Sequence, residues 1–171
     1  SKSSIEKAIS IDPNFSDAYF NMGVTLNLLG KLNESKVFYT KAIELYPNHF
    51  KAYNNLGNVL QEKGKTEEAI EAYKKALSIN PDYVEVYNNI GACLKAQGKL
   101  EDAIKSFKKA LSINPSYAYT YNNIGNALKA QEKLEESIKS FNKALSLKPD
   151  FVEAYYNLGG TLQDQGKLDK A

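Results

Sequence analysis

Every proline in the chain stands at the same place in a 34-residue period: Pro13, Pro47, Pro81, Pro115 and Pro149. A proline ends a helix at or before the residue that precedes it, so this spacing demands one structural unit built again and again. Nine of the ten glycines keep two further phases: Gly23, Gly57, Gly91, Gly125 and Gly159, then Gly30, Gly64, Gly98 and Gly166, with only Gly160 outside them. The phase divides the chain into the second helix of a preceding unit (1–15), four repeats (16–49, 50–83, 84–117 and 118–151) and the first helix of a truncated fifth repeat (152–171). With no initiator methionine, the chain reads as a piece of a longer array.

The second repeat shows the internal logic. Ala52, Tyr53, Leu56, Val59 and Leu60 are spaced as the apolar stripe of a helix. Gly64 follows where a left-handed cap is wanted, and a second stripe runs through Ala69, Ile70, Tyr73, Ala76 and Leu77 until Asn80 and Pro81 stop it. Gly57, Ala69 and Ala76 recur in phase as Gly91, Ala103 and Ala110, small residues that let two antiparallel helices approach while tyrosines and leucines fill the flanks. One such pair cannot bury its apolar face alone, so neighbouring pairs must stack. The expected fold is an all-α solenoid. In the turn phase Glu132 replaces glycine, at a place that calls for positive φ.

These features resemble the tetratricopeptide repeat, with tyrosine (Tyr19, Tyr53, Tyr87, Tyr121 and Tyr155) where that family usually carries tryptophan. The resemblance implies a right-handed superhelical solenoid of antiparallel helix pairs. It also implies a non-enzymatic protein-binding scaffold that lays a peptide or partner segment in the groove made by its first helices. Stretches such as YNNLGNVLQEKGKTEEAIEAYKKALSINPDY are similar to the repeats that precede the catalytic domain of O-linked N-acetylglucosamine transferases. That similarity implies an alternative, the substrate-recruiting part of a larger protein O-glycosyltransferase.

Opposite the apolar stripe, the first helices carry a ladder of asparagines: Asn21, Asn55, Asn89, Asn123 and Asn157 on one place, with Asn54, Asn88 and Asn122 beside it and Asn58 and Asn126 one turn on. A carboxamide offers donors and an acceptor, so such a ladder can bind an extended peptide's main chain without demanding particular side chains. Asparagines at the Asn55 place resemble those that contact peptide backbone in the glycosyltransferase arrays. A structural role, bridging neighbouring helices, is the other reading. Lys95 and Lys129 stand on a variable place of the same face, shared with Asn27, Gln61 and Gln163. Specificity belongs to such variable places.

Composition excludes much else. Lysine and arginine number 22 against 20 acidic residues, a net charge of +2 that names no polyanionic partner, and all the cations are lysine, which disfavours base-edge reading of nucleic acid. One cysteine and one histidine are too few for a disulfide framework or a protein-made zinc site, and no metal or cofactor is expected. No apolar run is long enough for a membrane span, and a reducing, cytoplasmic location is expected. No nucleophile, base and orienter converge, so the chain itself is expected to be no enzyme. His49, in an inter-repeat turn, reads as a solvated loop residue, and Cys93 as a small packed one. The open ends, around Ile5, Ala8 and Ile9 and around Tyr155, Leu158 and Leu162, are expected to permit head-to-tail self-association.

Overall fold

The structure, a computed structural model, describes residues 2–168. Those residues form ten helices and no strand: α1 (Lys2–Ile11), α2 (Ser16–Leu28), α3 (Leu32–Leu45), α4 (Phe50–Glu62), α5 (Thr66–Ile79), α6 (Val84–Ala96), α7 (Leu100–Ile113), α8 (Ala118–Ala130), α9 (Leu134–Leu147) and α10 (Val152–Leu168). They gather into two compact units, one reaching to Val86 and one starting at Tyr87. Within each unit, helices consecutive in sequence pack on one another: α2 on α3, α3 on α4 and α4 on α5 in the first, α7 on α8, α8 on α9 and α9 on α10 in the second.

The pairs close around one repeated contact. Tyr39, Tyr73, Phe107 and Phe141 are fully buried, each ring packed with one side against a glycine of the first helix. A Cβ added to Gly57 would sit 2.5 Å from the Tyr73 ring, and one added to Gly125 would sit 2.5 Å from Phe141. No real side chain fits there, which is why glycine occupies this phase. The small partners on the second helix follow the same geometry. Ala69 and Ala103 are fully buried, and where serine replaces them its hydroxyl finds a carbonyl: Ser35 Oγ donates to Gly23 O and Ser137 Oγ to Gly125 O, both at 2.8 Å.

Turns within pairs are left-handed caps, with φ of 71° at Gly30, 73° at Gly64 and 74° at Gly98. The following lysine N–H reaches back to a leucine carbonyl five residues earlier, as in Lys65 N to Leu60 O at 2.9 Å, closing the helix end. Glu132 takes the same conformation at φ 62°, the strained position its phase predicts. Gly166 departs from that phase: α10 runs straight through it for 17 residues, whereas the other first helices stop after 13. No second helix packs on α10 among the described residues, so no packing gain offsets breaking its hydrogen-bond ladder. Between pairs, Tyr46, Asn80 and Asn114 turn extended just ahead of Pro47, Pro81 and Pro115.

Candidate peptide-binding face

The asparagine columns separate by burial. Asn54, Asn88 and Asn122 are buried, and much of their bonding is internal. Thr120 Oγ1 donates to Asn88 Oδ1 at 2.8 Å, from a place where other repeats keep alanine or valine. Asn122 Nδ2 donates to Glu153 Oε1 at 3.0 Å and its Oδ1 accepts from Asn157 Nδ2 at 3.0 Å, tying α8 to α10. Asn54 Nδ2 donates to Asn55 Oδ1 at 3.2 Å. This column has the helix-bridging geometry rather than that of an open surface; its side chains lie one residue too close to the apolar stripe to face outward.

The neighbouring column is more accessible. Asn21 is exposed, while Asn55, Asn89, Asn123 and Asn157 are half-buried, with Asn58 and Asn126 one turn further along α4 and α8. In the first unit, tyrosine hydroxyls reach this face from below. Tyr73 Oη lies 2.8 Å from Asn58 Oδ1 and 3.0 Å from Gln61 Oε1, and Asn55 Nδ2 donates to Tyr39 Oη at 3.4 Å. Burial raises the Tyr39 phenol above its ordinary range, so it stays protonated. In the second unit, the rings are Phe107 and Phe141, and neither Asn123 nor Asn126 has a side-chain hydrogen-bond partner among the described residues.

Of the two candidate lysines, Lys129 pairs with Asp164 Oδ2 at 2.9 Å. Its ammonium passes over Gly160, the one glycine outside the repeat phases, where a Cβ would come within 3.3 Å of it. Lys95 has no ion-pair partner among the described residues. Lys148, which the sequence did not single out, donates to Tyr119 Oη at 2.7 Å, with its ammonium 4.6 Å from the centre of that ring. The face therefore combines carboxamides, ammoniums and one exposed aromatic ring.

His49 is not the solvated loop residue its turn position suggests: it is buried and caps α4. Its Nδ1 accepts from Ala52 N at 3.3 Å, which leaves the proton on Nε2, 3.2 Å from Asp17 Oδ1. That approach is poorly aligned, an electrostatic contact rather than a full hydrogen bond. The ring packs against Phe20 with centroids 4.8 Å apart and the planes tilted by 37°. Burial holds its pKa below the usual histidine value, against the opposing pull of Asp17. The signal lay in the phase, since Phe15, Tyr83, Tyr117 and Phe151 fill the equivalent places and mark it as an aromatic slot. Cys93 is buried, and burial pushes its thiol up to about 11, well away from a reactive thiolate. No cluster of three or more metal-binding side chains occurs among the described residues, and none of their helices is long and apolar enough to cross a membrane.

Comparison with known proteins agrees with this architecture. Profiles described as tetratricopeptide repeat match residues 16–49 and 84–117, and 38–71 and 106–139; one described as TPR repeat matches 57–98 and 125–166. Together the matches run from 16 to 166. They are to the repeat as such, and none is specific to glycosyltransferase arrays. No curated protein matches the chain in a sequence comparison. Among solved structures, a crystal structure of MamA is similar at a TM-score of 0.78 with 26% identity, covering 86% of each chain. PilF of Pseudomonas aeruginosa is similar at a TM-score of 0.81 with 25% identity, over 89% of this chain and 69% of that one. MamA from Desulfovibrio magneticus RS-1, at 20% identity and a TM-score of 0.78 over 88% of this chain and 85% of that one, shares the fold.

Proposed function

The chain belongs to the tetratricopeptide-repeat family and is a protein-interaction module by that membership, and we propose that it binds an extended peptide or partner segment along the polar face of its first helices. The observation that carries this reading is the less buried asparagine column, repeated on successive first helices, exposed at Asn21 and half-buried at Asn55, Asn89, Asn123 and Asn157. An extended peptide presents a carbonyl and an N–H at each residue, and a row of carboxamides answers both. Recognition of this kind is tolerant of sequence; the variable places around it, including Lys95 and Lys129, tune the preference.

The test is to select binders from a random 12-residue peptide library and measure affinity by fluorescence anisotropy. Replacing Asn55, Asn89 and Asn123 together by alanine is expected to weaken binding at least about tenfold, since each neutral hydrogen bond is worth about 0.5–1.5 kcal/mol. Helicity by circular dichroism should stay nearly unchanged. Undiminished affinity in the triple variant defeats the proposal.

A second reading, head-to-tail self-association, is favoured by the exposure of Tyr155, Tyr156 and Leu162 on α10, whose open side no described helix covers. Sedimentation of the chain across concentrations tests it, and a strict monomer throughout excludes it.

A further inference from the structure

The asparagines that stand over Tyr39 and Tyr73 in the first unit differ from Asn123 and Asn126 in the second, and the cause is one atom on each buried ring. In the first unit, Tyr73 Oη meets Asn58, 15 residues earlier in the chain, and Tyr39 Oη meets Asn55, 16 residues later. The same offsets counted from Phe141 and Phe107 arrive at Asn126 and Asn123. The rings themselves are placed alike: Cζ, the atom that bears the hydroxyl in tyrosine, lies 2.9 Å from a Cβ built on Gly57 for Tyr73, and 2.8 Å from one built on Gly91 for Phe107 or on Gly125 for Phe141. A hydroxyl on Phe141, seated as Tyr73 is, would therefore point at Asn126; for Phe107 the pairing with Asn123 follows from the sequence offset of Tyr39 and Asn55, since the Tyr39 ring meets its glycine through Cδ1, Cε1 and Cγ instead.

From this asymmetry we infer that the second unit holds the ligand-reading part of the face, and that its ligand is an extended segment bearing acidic side chains. In the first unit, Asn55, Asn58 and Gln61 already exchange hydrogen bonds with the tyrosines, so a peptide must displace an internal bond to gain an external one. In the second, Asn123 and Asn126 present carboxamides without that competition. The charges decide the ligand's chemistry. Glu153 accepts from Asn122 and Asp164 accepts from Lys129, so these two carboxylates are engaged internally. Lys95 is left with its ammonium uncompensated among the described residues. The carboxamides supply donors and acceptors alike and answer a peptide main chain; the unmatched group is the Lys95 ammonium, and a glutamate or aspartate side chain is the acceptor that answers it. A carboxylate on the ligand can also take Lys129 from Asp164, an exchange of one exposed ion pair for another that costs little.

This inference rests on the reading of that face as the peptide-binding one, and the experiment separates the two. The probes are fluorescein-labelled 12-residue peptides of alternating glutamate and threonine, and of alternating glutamine and threonine, measured by anisotropy at low and at physiological salt. The wild-type chain is expected to bind the glutamate peptide more tightly, and Lys95→Gln should remove much of that preference. The pair Phe107→Tyr and Phe141→Tyr should weaken binding of both peptides about fivefold or more by occupying Asn123 and Asn126, while Tyr39→Phe with Tyr73→Phe should strengthen it. Asn123→Ala with Asn126→Ala serves as a second route should the tyrosine pair melt early. No binding of either peptide, or equal binding of both, overturns the inference. If the Asn55, Asn89 and Asn123 alanine triple loses binding while both ring-exchange pairs bind like wild type, the face reading stands and the assignment to the second unit falls.

Discussion

The pair α4–α5 in the first unit and the pair α8–α9 in the second are built on the same plan, residue for residue. Gly57 and Gly125 each receive a fully buried ring, Ala76 and Ala144 are each fully buried behind it, and each turn enters the left-handed region. Yet Tyr73 corresponds to Phe141, Gly64 corresponds to Glu132, and at the loop before the first helix His49 stands where the other has Tyr117. The backbone tolerates these exchanges because it answers to volume and to φ. The polar surface does not, because a single hydroxyl decides whether an asparagine above it is occupied. Repeats that superpose in their chain path can thus differ in what they offer a ligand.

The largest effect expected is on the shared part. Gly57→Ala and Gly125→Ala should each destabilise by about 1–3 kcal/mol, because the methyl must push a buried ring held on all sides. Gly159→Ala, where nothing lies within 4 Å, should be neutral or stabilising. Thermal melts of the three variants check this, and equal losses would show that close approach is not the reason for glycine. Next in size is the turn. Glu132→Gly should stabilise by roughly 1 kcal/mol and Gly64→Glu should cost about as much, since one removes and the other installs a side chain at positive φ. A destabilised Glu132→Gly variant would mean that the glutamate side chain compensates its own strain.

The smallest effect concerns His49, whose counterparts in the second unit are Tyr117 and Phe151, neither of them a histidine. Its folded-state pKa is lowered by burial, so the unfolded chain takes up the proton first. The stability tied to the neutral ring is fully present above about pH 6.5, the unfolded value, and is lost as pH falls from there through the folded value. His49→Phe, which restores the aromatic of the other repeats, should flatten that slope in denaturant titrations between about pH 7 and pH 5. A slope unchanged by the substitution would place its origin elsewhere.

The helix pairs were legible because their signals are local and periodic. Pro47, Pro81 and Pro115 end helices wherever they stand, and Gly30, Gly64 and Gly98 mark turns through backbone freedom alone. The asparagine face was legible in part. Helical phase sets Asn54 nearer the apolar stripe than Asn55 but does not say how far the neighbouring helix reaches across the face, and packing buried Asn54 and left Asn55 half-buried.

By itself the sequence determined the unit, its two helices and the interlock of glycine with ring, because each follows from spacing within one repeat. Only tertiary structure decided the rest. That His49 is buried depends on Phe20 and Asp17 of the preceding pair, that α10 passes through Gly166 depends on what packs beside it, and that Asn126 is unoccupied while Asn58 is not depends on where a buried ring directs its last atom. Each of these is a contact between residues far apart in the chain, and periodicity, which counts along the chain, carries no record of the distance across it.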